Sequence, residues 1–280
     1  MRRREFVGAI GAVGAGFIPP LPVCAPAPDR RRSPSIGLEL YTVRSLMAKD
    51  VEGTLAAVAE IGYREVEFAG EFGRSPGELR RTLDRLGLRA PARHVPVESL
   101  DGGWPEVLED SAAMGCAYAV VAWIPEGMRR TLDDWRRWGE RFNGAGQAAR
   151  RAGLRFAYHN HDFEFGELEG RIPFDVLLEA TDATLVAIEL DLYWITKGGQ
   201  DPLVYLGRER GRYALTHVKD MDPTPARGMA DPGKGIIDFP RILPVAREAG
   251  VRHYFVEHDN PGDPLATARA GFEYLSRVMR

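Results

Sequence analysis

The sequence predicts a single (β/α)8 barrel. Three observations predict it: eight alternations of a short β-rich run with an amphipathic helical stretch, glycines where helices hand over to strands, and a suitable length. Such a barrel takes about 250 residues, and the chain has 280. One domain over 33–280 therefore accounts for it better than two small ones.

In order, the strands are 37–41, 65–68, 88–94, 118–123, 155–159, 185–191, 213–218 and 253–257. The helices that follow them lie near 51–61, 76–86, 104–114, 131–151, 173–180, 202–206, 239–249 and 264–279. Strand and helix in strict alternation build βαβ units and a parallel sheet. Gly62, Gly87, Gly115, Gly153 and Gly250 fall where helices end. Glycine is favoured there because it enters the left-handed region without strain. A doubly wound open sheet is the main rival, but it usually has fewer strands and a phosphate-binding turn after the first. Here Tyr41-Thr42-Val43-Arg44 follows the first strand, and that is no such turn.

Hydrophobic residues make up 44% of the chain, enough for a full core, and no long polar tract interrupts it. The formal net charge is -3, and residues 1–32 carry six arginines against two acids, so the remainder is more acidic still. Nucleic acid, which is bound through clustered positive charge, is not an expected partner. Cys24 and Cys116 are the two cysteines. Once a leader is removed, one thiol allows neither a disulfide framework nor a cysteine zinc site. Cys116, within the apolar Met114-Gly115-Cys116-Ala117-Tyr118, reads as a buried structural thiol.

Residues 1–32 read as a signal peptide and linker. Arg2-Arg3-Arg4 precedes an apolar, Gly/Ala-rich run to about Leu21, with small residues at Ala25 and Ala27. Arg3-Arg4-Glu5-Phe6-Val7 fits the twin-arginine pattern of proteins exported folded, which places the mature chain in the periplasm or outside the cell. An ordinary Sec leader is the plainer alternative. The run is too short and glycine-rich for a stable membrane span. Leu21-Pro22-Val23-Cys24 is a weak lipobox, because Val23 suits the position before a lipidated cysteine poorly.

Polar residues crowd the strand ends, which line the active site in this fold. Strand five ends in His159-Asn160-His161-Asp162, strand six in Glu189-Leu190-Asp191, strand seven in His217-Val218-Lys219-Asp220, and strand eight in Glu257-His258-Asp259. Strands one to three add Glu39, Glu67 and His94. Alternation pairs His159 with His161, Glu189 with Asp191, and His217 with Lys219 on common faces. Carboxylates and imidazoles converging on one mouth are costly to bury unless something offsets their charge. One divalent cation does so, and mixed His and carboxylate donors suit Mn, Zn, Co, Fe or Mg. Singly, each residue has a bland reading as a hydrogen-bonded core group or turn cap; the joint pattern carries the argument. Gly233-Lys234-Gly235 invites a phosphate-loop reading, but a lone Gly-x-Gly is weak and fits a loop over the mouth. Trp123, Tyr193 and Trp194 are placed to stack on a sugar ring or simply to pack.

At these residues the chain resembles the sugar phosphate isomerase/epimerase family with xylose isomerase-like barrels, over nearly all of 36–280. The carriers are 37–44, 61–68, 158–165, 189–194, 217–220, Gly233-Lys234-Gly235 and 256–259. The resemblance implies one divalent metal, with His159, Asp191, His217 and Glu257 as ligands by position. Many members have Glu at the strand-five position, where this chain has His159. Many also have His three residues after the strand-six Asp, where this chain has Trp194. The first departure weakens a two-base scheme, in which glutamates on opposite faces of the substrate trade protons.

The chemistry that fits is proton abstraction next to a carbonyl of a small-molecule carbohydrate, with the enediolate stabilised electrostatically. Glu257 is the first choice as general base and His161 the second acid/base. Lys219 is expected to hydrogen-bond a substrate oxygen; His94, Glu39 and Glu67 to hold hydroxyls; and Trp194 to line the sugar. Isomerisation or epimerisation is the leading outcome. Elimination of water or an aglycone from a keto-sugar or keto-glycoside is the runner-up. A non-catalytic carbohydrate-binding barrel and a metal-dependent endonuclease are further rivals, the second disfavoured by the acidic chain. Export favours an unphosphorylated substrate.

Overall fold

The computed structural model describes residues 35–280. The leader reading of 1–32 lies outside them. Eight parallel strands close into a barrel: β1 (Ser35–Glu39), β2 (Glu65–Phe68), β3 (Arg89–Val95), β4 (Tyr118–Val121), β5 (Arg155–His159), β6 (Val186–Asp191), β7 (Tyr213–Val218) and β8 (His253–Val256). Each pairs with its sequence neighbours, and β1 closes on β8. The eight expected helices are present: α1 (Val51–Ile61), α2 (Pro76–Leu86), α3 (Trp104–Met114), α4 (Leu132–Arg151), α5 (Pro173–Ala180), α6 (Pro202–Arg208), α7 (Phe239–Ala249) and α8 (Pro264–Val278). No helix among the described residues is long and apolar enough to cross a membrane.

Local chemistry explains the boundaries. Ser75 with Glu78 and Thr131 with Asp134 form reciprocal capping boxes that satisfy the first amides of α2 and α4. Gly87 and Gly115 close α2 and α3 with φ of 68° and 86°, in the left-handed region. Helix α4 buries Leu132, Trp135, Trp138, Phe142, Ala145 and Ala149, the three-and-four spacing of one apolar face.

Inside the barrel the filling is mostly small: Ala92, Val120, Ala157, Ala187 and Ala214, with Leu215, Tyr118 and Phe255 as the bulky members. Gly37 makes room for Phe255, since a Cβ there would lie 2.4 Å from its ring. Two irregularities sit beside the polar mouth. The β2–β3 register slips between Glu65 and Glu67, next to Pro91, which has no amide to give the ladder. The β6–β7 register slips between Ile188 and Glu189. Such bulges re-aim side chains, and here they adjoin Glu67 and Glu189.

The structure adds what the pattern did not foresee. A helical turn, Leu192–Lys197, follows β6 directly. The β7–α7 connection carries a small ribbon, Asp220–Met221 with Met229–Ala230. Cys116 is buried as expected, and desolvation pushes its thiol up to about 12.

Helix α4 packs closely enough to make a stability prediction. A Cβ on Gly146 would stand 2.4 Å from the Leu185 carbonyl oxygen, a backbone atom that cannot swing away. Alanine gains some helix propensity there. The clash outweighs it, so Gly146→Ala lowers stability by about 1–3 kcal/mol, the usual range for overpacking. Urea unfolding of both proteins measures it; an unchanged midpoint would contradict the packing described.

Candidate functional site

The ends of β5 to β8 meet at one point. His159 is the last residue of β5, Asp191 the last of β6, His217 the penultimate residue of β7, and Glu257 follows β8. All four are buried, and one donor atom from each lies within 4.8 Å of the others. His159 Nε2 is 3.3 Å from Asp191 Oδ2. His217 Nδ1 is 3.6 Å from Asp191 Oδ2 and 2.6 Å from Glu257 Oε2.

Two of these atoms test the fit to a metal. His217 Nδ1 and Glu257 Oε2 are enclosed and stand 2.6 Å apart with no hydrogen bond between them. Donors facing one another without hydrogen-bond geometry are what a shared cation requires. The mixture of imidazole and carboxylate suits Zn, Mn, Co or Fe. The residues therefore fit one divalent cation.

Surrounding groups fix the donors. Asp191 Oδ1 accepts from the Trp194 amide at 2.8 Å, so the carboxylate that starts the 192–197 turn is aimed by it. Asn160 accepts from the Asp191 amide at 3.0 Å and donates to its carbonyl oxygen at 3.4 Å. His217 Nε2 donates to Glu67 Oε2 at 2.8 Å, which leaves Nδ1 as the free donor atom. An outer carboxylate of this kind sets the tautomer and raises ligand basicity. Removing one typically weakens metal binding about 10–100-fold. Glu67→Ala is expected to weaken the tightest bound equivalent of Mn2+ by that factor, measured by competition with a chelator; unchanged affinity would remove Glu67 from this role.

Charge is concentrated here. Lys219 Nζ lies 3.1 Å from Asp191 Oδ2, 2.9 Å from Glu257 Oε2 and 3.0 Å from Asp259 Oδ1. Burial would raise Asp191, but Lys219 and the imidazoles hold it well below the ordinary carboxylate range. Glu257 is likewise lowered against burial by Lys219 and His217. Burial, reinforced by the neighbouring His217, takes His159 down to about 4, so it stands as a neutral imidazole. His161 is pushed well down by burial and His159.

The other predicted residues divide into two groups. Glu39, Glu67 and His94, from β1 to β3, form a second polar cluster against the far edge of His217. Glu39 and Glu67 are fully enclosed, and His94 is 17% exposed. The two glutamates thus face imidazoles rather than the open mouth, which does not suit them to hold substrate hydroxyls. On the rim, the His161 ring lies 5.0 Å from Trp123 and 5.2 Å from Trp194. Trp194 also carries Lys219 at 5.5 Å from its ring. Trp123, 49% exposed, borders a cavity of about 290 Å3 lined also by Ala69, His94, Val95, Pro96 and Ala122. Tyr193 only packs: it is buried, and its hydroxyl donates to the Arg227 carbonyl.

Gly233-Lys234-Gly235 is a loop whose amides are already taken. Gly233 and Gly235 both donate to Asp220 Oδ2 at 2.9 Å, and Ile237 donates to Oδ1 at 3.0 Å. A carboxylate occupies the place a phosphate would need. Lys219, expected as a direct substrate contact, is committed to three carboxylates. Glu257, the first choice as base, is engaged by His217 and Lys219, which lower its appetite for a proton. Glu189 had no assigned role, yet its Oε2 lies 3.0 Å from His94 Nε2 and 3.3 Å from His217 Nε2. Its spacing of two from Asp191 was the available signal. Asp259 pairing with Lys219 had none.

Comparison with known proteins agrees with the fold. The profile of the family described as "Xylose isomerase-like TIM barrel" matches residues 55–278. The rhizopine catabolism protein MocC of Rhizobium meliloti is 25% identical over 267 residues, covering 81% of each chain. The inosose dehydratase of Lacticaseibacillus casei is 24% identical over 258 residues, covering 78% of this chain and 86% of that one. A solved sugar phosphate isomerase/epimerase from Parabacteroides distasonis superposes with a TM-score of 0.76 at 26% identity, covering 91% of this chain and 98% of that one.

Proposed function

The chain belongs to the xylose isomerase-like TIM barrel family, and on that footing we propose that it is a metal-dependent lyase that eliminates a β-leaving group from a polyhydroxylated keto-sugar or ring ketone. The observation that carries this reading is at the end of β5. A two-base isomerase or epimerase needs a second proton-transfer group facing Glu257 across the substrate. Here that place holds His159, whose Nε2 is turned toward Asp191 within the donor set. His161 stands beside the donor set with its ring against Trp123 and Trp194, and its Nδ1, though buried, has no hydrogen-bond partner.

A bound divalent cation supplies Lewis-acid stabilisation of the negative charge that develops on a carbonyl oxygen. His161 takes the proton from the carbon next to the carbonyl, in place of Glu257. The C–H electron pair becomes the enediolate. The same electrons then expel the β-substituent, and the His161 imidazolium returns its proton to the departing oxygen. One acid/base group on one side suffices for both transfers, and no redox partner is needed. Lys219, anchored by Asp191, Glu257 and Asp259, keeps a positive charge beside the developing enediolate. Trp123 and Trp194 flank the His161 ring, and Phe163 stacks parallel to it at 5.5 Å.

The inosose dehydratase relative supports this reading. The Parabacteroides distasonis protein supports the second one: reprotonation at the neighbouring carbon gives isomerisation, and at the same carbon epimerisation. Export from residues 1–32 belongs to the proposal as well, with an unphosphorylated substrate. The test incubates the Mn2+-loaded protein with inososes, keto-hexoses and keto-glycosides in deuterated water, followed by ultraviolet absorbance and NMR. An unsaturated ketone with loss of the β-substituent is expected. A product of unchanged composition, with deuterium at a carbon next to the carbonyl, would replace elimination by isomerisation or epimerisation.

A further inference from the structure

The cluster contributed by β1 to β3 is not used by the chemistry above. Glu39, Glu67 and His94 each bring a donor atom to within 4.8 Å of the others and of His217. Glu189 closes the group from β6, 3.0 Å from His94 Nε2. Three carboxylates are therefore enclosed around two imidazoles. Among the described residues no Lys or Arg pairs with any of the three; Lys219 is spent on Asp191, Glu257 and Asp259.

The oxygens themselves point to a ligand. Glu39 Oε2, Glu67 Oε1 and Glu189 Oε1 are buried and have no hydrogen-bond partner. Glu39 is fully enclosed, and its other oxygen accepts only the Tyr41 amide, at 3.3 Å. A buried carboxylate oxygen left unpaired is costly. Three of them in one enclosure call for a shared positive partner. His217 cannot be that partner once its Nδ1 serves the first site, because it is then a neutral ring that spends its single N–H on Glu67 Oε2.

We propose that Glu39, Glu67 and His94 hold a second divalent cation, separated from the first by the His217 ring; His94 Nε2, which lies nearest both Glu67 and Glu189, gives its lone pair to the ion in place of a hydrogen bond to Glu189. Spacing agrees with this. An octahedral ion with bonds of about 2.1 Å sets adjacent donors about 3.0 Å apart and opposite donors about 4.2 Å apart. His94 Nε2 and Glu67 Oε1 stand 3.7 Å apart, inside that window. A donor set richer in oxygen than in nitrogen selects a hard ion, Mn2+ or Mg2+. Glu67 then serves both ions: Oε2 holds His217 for the first, and Oε1 contacts the second.

The inference does not depend on the reaction proposed, and its test needs no substrate. Metal-stripped protein is dialysed against Mn2+, and bound metal is counted for the wild type, Glu39→Gln and His94→Gln. Two equivalents are expected for the wild type and one for each variant. The retained equivalent shows that the variant has folded with the first site intact. A wild-type stoichiometry of one overturns the proposal. So does a second equivalent that survives either substitution, since the ion would then lie elsewhere. Loss of both equivalents in either variant overturns it too, because the residue would then serve the first site.

Discussion

Asp191→Asn is expected to release the first metal and with it the activity. The substitution isolates one property. Asparagine keeps an oxygen at the position of Oδ1, so the cap on the Trp194 amide can persist and the 192–197 turn need not unravel. What disappears is the charge on Oδ2, the atom that stands 3.3 Å from His159 Nε2, 3.6 Å from His217 Nδ1 and 3.1 Å from Lys219 Nζ. An amide in its place offers a weaker oxygen or turns an N–H toward the cation. Loss of an outer-sphere partner costs about 10–100-fold in metal affinity, and loss of a direct anionic donor exceeds that. Turnover should fall at least as far as the metal content does. Metal analysis after dialysis and a rate at saturating Mn2+ separate the two: recovery of the rate at high Mn2+ means that Asp191 acts through binding alone. Full metal retention in Asp191→Asn would remove Asp191 from the donor set.

The barrel was legible because its determinants are local. Turn glycines, capping residues and period-2 strand runs state the boundaries of α1 to α8 and β1 to β8 within a few residues. The convergence of His159, Asp191, His217 and Glu257 was legible for a related reason: strand ends converge in any closed barrel, so their meeting needed only correct strand registers. What escaped depends on approach between distant segments. Nothing in the spacing of Glu39 and Glu67 says that they are enclosed behind His217. That follows from barrel closure, which brings β1 and β2 round to face His217 of β7. A lysine at a strand end faces inward, which by itself suggests a substrate contact for Lys219. Its three carboxylate partners come from β6 and the segment after β8, and no local pattern in β7 announces them. The 192–197 turn has no local signature beyond its cap, Asp191, a residue whose place at a strand end already accounts for it.

Lys219→Met is expected to destabilise the metal-free protein strongly and the metal-loaded protein much less. The ammonium is buried among Asp191, Glu257 and Asp259, and each lies about 3 Å away. Methionine fills similar space but leaves enclosed carboxylates facing one another. Breaking a buried pair from one side costs roughly 3–5 kcal/mol. A divalent cation in contact with Asp191 and Glu257 offsets the same charge, so loading should recover most of the loss. The effect has a defined pH window. Asp191 is depressed in the folded wild type, so its share of stability is present above its unfolded value and lost as the pH falls through the folded one. Lys219 is raised, so its share is present below its unfolded value and lost only as the pH climbs through the folded one. Without the lysine, the carboxylates return toward or above their unfolded values. The variant's deficit is then full near neutrality and shrinks below about pH 5, where protonation removes the repulsion at its source. Urea unfolding at pH 7 and pH 4.5, with and without Mn2+, reads all four corners. Equal deficits with and without the metal would mean that lysine and cation do not share these carboxylates, and the placement of the first ion between Asp191, His217 and Glu257 would have to be given up.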